Sequence, residues 1–153
     1  MYQPAYLLTF TTYGTWLRGD ARGSRRHGQR VVPSSLVLEH ERSLLKYPPF
    51  VLDQAQRDVV TFAIEDYCSK KNQNLSALSV LSSHVHAVVT GASIEPGMML
   101  NGFKSRATLL LRNSWELPLE RRIWTRGGSV LGLHSERAVS SAVAYVVRHY
   151  WSI

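Results

Sequence analysis

At 153 residues the chain is long enough for one domain with a buried core and short for two of ordinary size. A hydrophobic fraction of 44% with 19% charged residues excludes a disordered, collagenous or coiled-coil chain. Eighteen Lys and Arg against eleven Asp and Glu leave a net charge of +7, which suits a polyanionic partner, nucleic acid first.

In chain order, the amino-terminal MYQPAYLLTF has no basic stretch ahead of its apolar residues and is not expected to act as a secretory signal. Residues 5–13, apolar, aromatic and β-branched, predict a first strand that stops at Gly14. The segment RGDARGSRRHGQR, 18–30, sets Arg18, Arg22, Arg25, Arg26 and Arg30 against Asp20 alone and predicts an exposed basic loop, either plainly solvated or a phosphate-contacting arm. After Pro48-Pro49, Asp53 is a natural N-cap for a helix over 54–71, with Val59, Val60, Ala63, Ile64 and Tyr67 at helical spacing. Cys68 in this helix is the single cysteine; it excludes an internal disulfide, fits a reducing cytoplasm and reads as a small buried apolar residue.

Residues 75–81 and the run HVHAVVTG from His84 predict two strands joined by a tight turn at Ser82-Ser83. Neither approaches the roughly 20 apolar residues that span a bilayer, so no membrane partner is expected. Glu95-Pro96 opens a second helix through about Asn113, with Met99, Phe103, Ala107, Leu110 and Leu111 on its apolar face and Lys104, Arg106 and Arg112 on the remainder. Residues 123–133 read as a strand with a bulge or close approach at Gly127-Gly128. Ser135 caps a last helix that carries Glu136 in its first turn. The order strand, helix, strand, strand, helix, strand, helix predicts an α+β fold, an antiparallel sheet with helices on one face, close to the ferredoxin-like arrangement. No repeat or linker divides it, so residues 1–153 form a single domain.

The chemistry concentrates at 82–91. On a strand, residues two apart share a side and lie about 6.5 to 7 Å apart, so His84 and His86 can direct both imidazoles at one ion while Val85 points into the opposite layer. Two histidines on an otherwise apolar strand are costly unless something polar or metallic meets them. On the last helix Tyr145 and His149 are four apart, hence on one face, offering a nucleophile and a further ligand. The competing assignment packs Tyr145 in the core with Ala138, Ala142 and Val146 and leaves His149 at a frayed helix end.

This combination resembles the single-tyrosine HUH transposases, the insertion-sequence and REP-associated tyrosine transposase group. There, two histidines flank one hydrophobic residue, matched by His84-Val85-His86, and the tyrosine is followed four positions later by a ligand-type residue, often Gln, whose place His149 takes here. TFTTYGTWLRGD at 9–20, LDQAQR at 52–57 and IWTRGGSVLGL at 123–133 are similar to the same group and stand in the same order. The resemblance implies a ferredoxin-like or RRM-like core with the histidine strand central. With eight residues after Tyr145, a longer carboxy-terminal segment like that of some relatives is expected to be lacking.

The resemblance further implies a cytoplasmic, prokaryotic enzyme of DNA transposition. Tyr145 would attack a phosphate of single-stranded DNA to give a 5′-phosphotyrosine, and His84, His86 and His149 would hold Mg²⁺ or Mn²⁺, although imidazoles by themselves favour a softer ion such as Zn²⁺. Its DNA would be a hairpin at an element end or palindromic repeat, bound through Arg18, Arg22, Arg25, Arg26, Lys104, Arg106 and Arg126. Trp16 and Trp124 either stack on unpaired bases or pack in the core. A homodimer is expected, with a monomer as the alternative. Two other classes compete: a domesticated hairpin-binding module without strand transfer, and a metal-dependent hydrolase of small phosphoesters, which the scarcity of acidic ligands disfavours.

Overall fold

The computed structural model describes residues 4–16, 24–26 and 29–151; for 24–26, 31 and 149–151 only the backbone is described. Four strands make the main sheet: β1 (Ala5–Thr11), β4 (Asn74–Val80), β5 (His84–Thr90) and β6 (Ser129–Leu133), with β2 (Ser24–Arg26) and β3 (Gln29–Val31) forming a separate ribbon. The main sheet runs β4-β5-β1-β6, every neighbouring pair antiparallel, so β5 and β1 are central. The turn predicted at Ser82-Ser83 closes with the Leu81 amide donating to the His84 carbonyl.

The helices are α1 (Ser35–Ser43), α2 (Gln54–Lys70), α3 (Pro96–Trp115) and α4 (Glu136–Trp151). Their starts follow local chemistry. Asp53 and Gln56 form a reciprocal capping box at α2. The Glu95 carboxylate accepts from the Gly97 and Met98 amides ahead of Pro96 at α3. Ser135 Oγ accepts from the Ala138 amide at α4.

Strand alternation sorts two cores. Leu8, Phe10, Val85, Ala87 and Val89 point to one face of the sheet and pack with Val60, Ala63 and Ile64 of α2 and Met99, Phe103, Ala107 and Leu111 of α3. The two helices cross closely: a Cβ on Gly102 would overlap the Tyr67 ring, so α3 needs glycine there. Ala5, Val88 and Leu133 point the other way and meet Ala142 and Val146 of α4. The α+β antiparallel sheet is thus as expected, and α2 and α3 share one face, but α4 lies on the opposite face. Its apolar positions 138, 142 and 146 find their partners on the residues of β1 and β5 that alternate away from α2 and α3.

Three further differences have local causes. Part of the expected basic loop is paired backbone, with Arg25 opposite Arg30 in the β2/β3 ribbon. α1 was not predicted, and it buries none of its residues. The strand expected over 123–133 begins only at Ser129, while Trp124 bridges separately to Thr12. The break falls at the glycines: Gly127 has φ +81°, and a Cβ on Gly128 would come within 2.8 Å of the Thr9 carbonyl.

Candidate active site

His84 and His86 project from β5 to the α4 side of the sheet, on the same face as Val88. Their ring centroids are 4.9 Å apart at an interplanar angle of 78°. His86 is 6% exposed, and its ring meets that of Tyr145 edge-on, with centroids 5.5 Å apart. Tyr145 stands one position before the buried Val146 and is 37% exposed, so its ring covers His86 while remaining open to solvent. The predicted tyrosine and histidine pair therefore meet within one chain, and the alternative of a wholly core-packed Tyr145 does not hold.

Each imidazole is tied by a hydroxyl at the same nitrogen. Thr9 Oγ1 lies 2.9 Å from His86 Nδ1, and Ser83 Oγ lies 3.0 Å from His84 Nδ1. A hydroxyl that accepts from Nδ1–H leaves the lone pair on Nε2, the tautomer an imidazole needs to ligate through Nε2. The donor set thus fits a divalent ion with two nitrogen ligands and the remaining positions open to other donors. Among the described residues no group of three His, Cys, Asp or Glu side chains converges. His149 is one turn after Tyr145 on α4, but its side chain lies outside the described residues. Sequence reading missed Thr9 and Ser83 as supports. Ser83 was visible as the neighbour of His84, whereas Thr9 reaches His86 only through the β1/β5 register that sets the two side by side.

The fold has counterparts among solved structures. In fold the chain is similar to a REP-associated tyrosine transposase bound to a REP hairpin. The TM-score is 0.57 at 15% identity, over 99% of this chain and 71% of that one. A candidate transposase from Deinococcus radiodurans R1 matches with the same TM-score and identity over 98% of this chain and 93% of its own. No protein-family model matches the sequence, and a comparison with curated proteins finds no match. The α+β antiparallel arrangement expected from the order of elements is the one observed, and it is similar to the fold of these two proteins.

The predicted DNA-contacting cations fare unevenly. Arg18 and Arg22 lie outside the described residues, and for Arg25 and Arg26 only the β2 backbone is described. Lys104 and Arg106 stand on α3, across the sheet from the histidines, and are engaged internally. Lys104 Nζ donates to the Thr125 and Gly127 carbonyls, and burial lowers its pKa from the usual lysine value. Arg106 Nη2 pairs with Asp66 at 2.9 Å. Both are engaged within the fold, on the face of the sheet away from the histidines. Arg126 is exposed in the loop before β6. Trp124 donates to Thr108 Oγ1 and packs edge-on against Phe10, 8% exposed, so it belongs to the core and not to a base platform. Cys68 is buried as expected, and burial pushes its thiol up to about 11, away from the nucleophilic thiolate. Among the described residues no helix is long and apolar enough to cross a membrane.

Proposed function

We propose that this protein is a single-tyrosine DNA strand transferase acting on single-stranded DNA, with hairpin DNA as its substrate class. The observation that carries the reading is the contact of the half-exposed Tyr145 ring with His86, beside His84, on one face of a transposase-like fold. The neighbour bound to a REP hairpin supports the substrate class.

In the proposed reaction the Tyr145 phenol oxygen attacks a backbone phosphorus. A P–Oη bond forms, the bond to the 3′-oxygen breaks, and the products are a 5′-phosphotyrosine and a strand ending in a 3′-hydroxyl. The phenol proton leaves to solvent or to the departing 3′-oxygen. In the second half a 3′-hydroxyl attacks the adduct, the phosphodiester reforms and the tyrosine is released, so no external energy source is needed. His84 and His86, with His149 as third donor, would hold Mg²⁺ or Mn²⁺, which supplies Lewis acidity at the phosphate when bound. Thr9 and Ser83 keep both rings oriented, and α4 presents the phenol to the histidine face.

Because the tyrosine and the histidine pair meet in one chain, a single protomer is the catalytic unit in this reading. Incubating purified protein with Mn²⁺ and labelled single-stranded hairpins from the DNA flanking its own gene tests it on a denaturing gel. A covalent protein–DNA band is expected, absent in Tyr145→Phe and in His84→Ala. Mixing those two variants is expected to restore nothing; restoration would mean that protomers exchange the tyrosine helix. Tight hairpin binding with no adduct in the wild-type protein would instead make it a binding module.

A further inference from the structure

The chain between α1 and α2 and the loop between α3 and β6 meet at the end of the sheet where β5 begins. The Phe50 amide donates to the Tyr13 carbonyl and the Leu52 amide to Ser82, while the Tyr13 amide donates to Ile123. Thr12 donates to Ser83, the residue before His84, so this junction adjoins the histidine pair. Arg121 binds its parts together. Its guanidinium donates to the Pro48 and Arg122 carbonyls and lies 5.7, 5.4 and 4.9 Å from the rings of Tyr13, Tyr47 and Phe50.

The cations around this pillar are not consumed in the same way. Arg42, Lys46 and Arg122 are exposed, and none of the three pairs with a carboxylate among the described residues, whereas Lys70 and Arg106 share Asp66. Arg42, Lys46 and Tyr47 line a cavity of about 370 Å³ with Leu45 and Pro48-Pro49. Tyr47 is only half-buried, with Lys46 Nζ 5.8 Å from its ring. Arg122 also lies 5.7 Å from the Tyr13 ring, which leaves its charge without a carboxylate partner. A rigidly backed, half-open aromatic ring bordered by cations that no described carboxylate neutralises is the chemistry that holds an unpaired nucleic-acid strand: a face for a base and charges for its phosphates. A purely solvated surface would require neither the ring to be braced by Arg121 nor the cavity beside it.

We propose that Arg42, Lys46, Tyr47 and Arg122 form a second binding surface for single-stranded DNA, which guides the unpaired strand beside the reactive phosphate toward His84. This rests on the strand-transfer reading for its substrate. Tyr47 stacks on a base, and the three cations neutralise phosphates.

The test is fluorescence anisotropy with a labelled oligothymidine of about 12 nucleotides, which forms no hairpin, over a range of salt. Replacing all three cations by Gln is expected to weaken binding at least about 10-fold near 0.1 M salt. It should also make the log–log salt slope shallower by about 2, at about 0.7 per phosphate contact on a single strand. Tyr47→Leu should weaken binding roughly 5-fold or more with the slope unchanged. Lys71→Gln, at the far end of α2, should change neither. Unaltered binding by the triple variant, or an equal loss in Lys71→Gln, would overturn the proposal. The two readings fail separately. Oligothymidine binding lost in the triple variant, with no Tyr145 adduct in the wild type, sinks only strand transfer. A normal adduct with unchanged binding in the triple variant sinks only this surface.

Discussion

The two faces of the sheet are built to different standards. The face under α2 and α3 packs Leu8, Phe10, Val60, Ile64, Met99, Phe103 and Leu111, all at most 1% exposed. The face under α4 holds a smaller core of Ala5, Val88, Leu133, Ala142 and Val146, and the rest of its area carries His84, His86 and Tyr145. Both faces belong to the same central strands, since β5 sends Val85, Ala87 and Val89 one way and His84, His86 and Val88 the other. Period-two alternation lets one strand supply stability on one side and polar chemistry on the other, so substitutions should separate cleanly by parity.

The largest separation is expected at Tyr145. Tyr145→Phe should lower adduct formation at least about 10³-fold while leaving the midpoint of urea unfolding within a few tenths of a kcal/mol of wild type. A large stability loss would mean that the tyrosine belongs to the core. Phe103→Ala should do the reverse, costing about 3 to 5 kcal/mol in denaturant unfolding and lowering activity only through the folded fraction. Next comes the support of the histidines. Thr9→Val keeps the β-branched shape on β1 but removes the hydroxyl at His86 Nδ1; Mn²⁺ affinity measured by titration calorimetry should fall roughly 10- to 100-fold with the fold intact. Unchanged affinity would show that Thr9 does not orient the ring.

The smallest effect is expected at Cys68, on the heavily packed face. Its thiol is raised from an ordinary 9.0 to about 11 by burial, so the folded protein holds this proton where the unfolded chain has released it. The resulting contribution to stability is fully present below pH 9 and is lost as pH rises toward about 11. Cys68→Ala should flatten that part of the decline, read as unfolding free energy against pH; an identical slope would assign the decline to other groups.

What the sequence disclosed follows the same division. Caps and periodicity announced α2, α3 and α4, because Asp53, Glu95-Pro96 and Ser135 act within a few residues of themselves. The histidine pair was legible from spacing alone, and it shares one face of β5. That Tyr145 would settle on His86 was not legible, since it depends on which side of the sheet α4 takes, and both sides of β5 are apolar enough to receive a helix. Thr9 stayed hidden because a cross-strand neighbour is set by register between residues 77 positions apart. The internal partners of Lys104 and Arg106 stayed hidden for the same reason: exposed-looking cations on a helix pattern give no sign that the Thr125 and Gly127 carbonyls or Asp66 wait beside them. α1 was overlooked even though Ser34 accepts from the Val37 amide at its start.

The slender packing of α4 makes it an exchangeable cassette. It touches the sheet mainly through small side chains, its cap Ser135 is local, and the α2/α3 layer does not rely on it. A chimaera carrying the equivalent helix of one of the two fold neighbours is therefore expected to change what faces His84 and His86 while retaining its own β5 and nearly all of its large buried side chains. What faces the histidines and the durability of the scaffold can then be varied independently, because they are laid on opposite sides of one sheet.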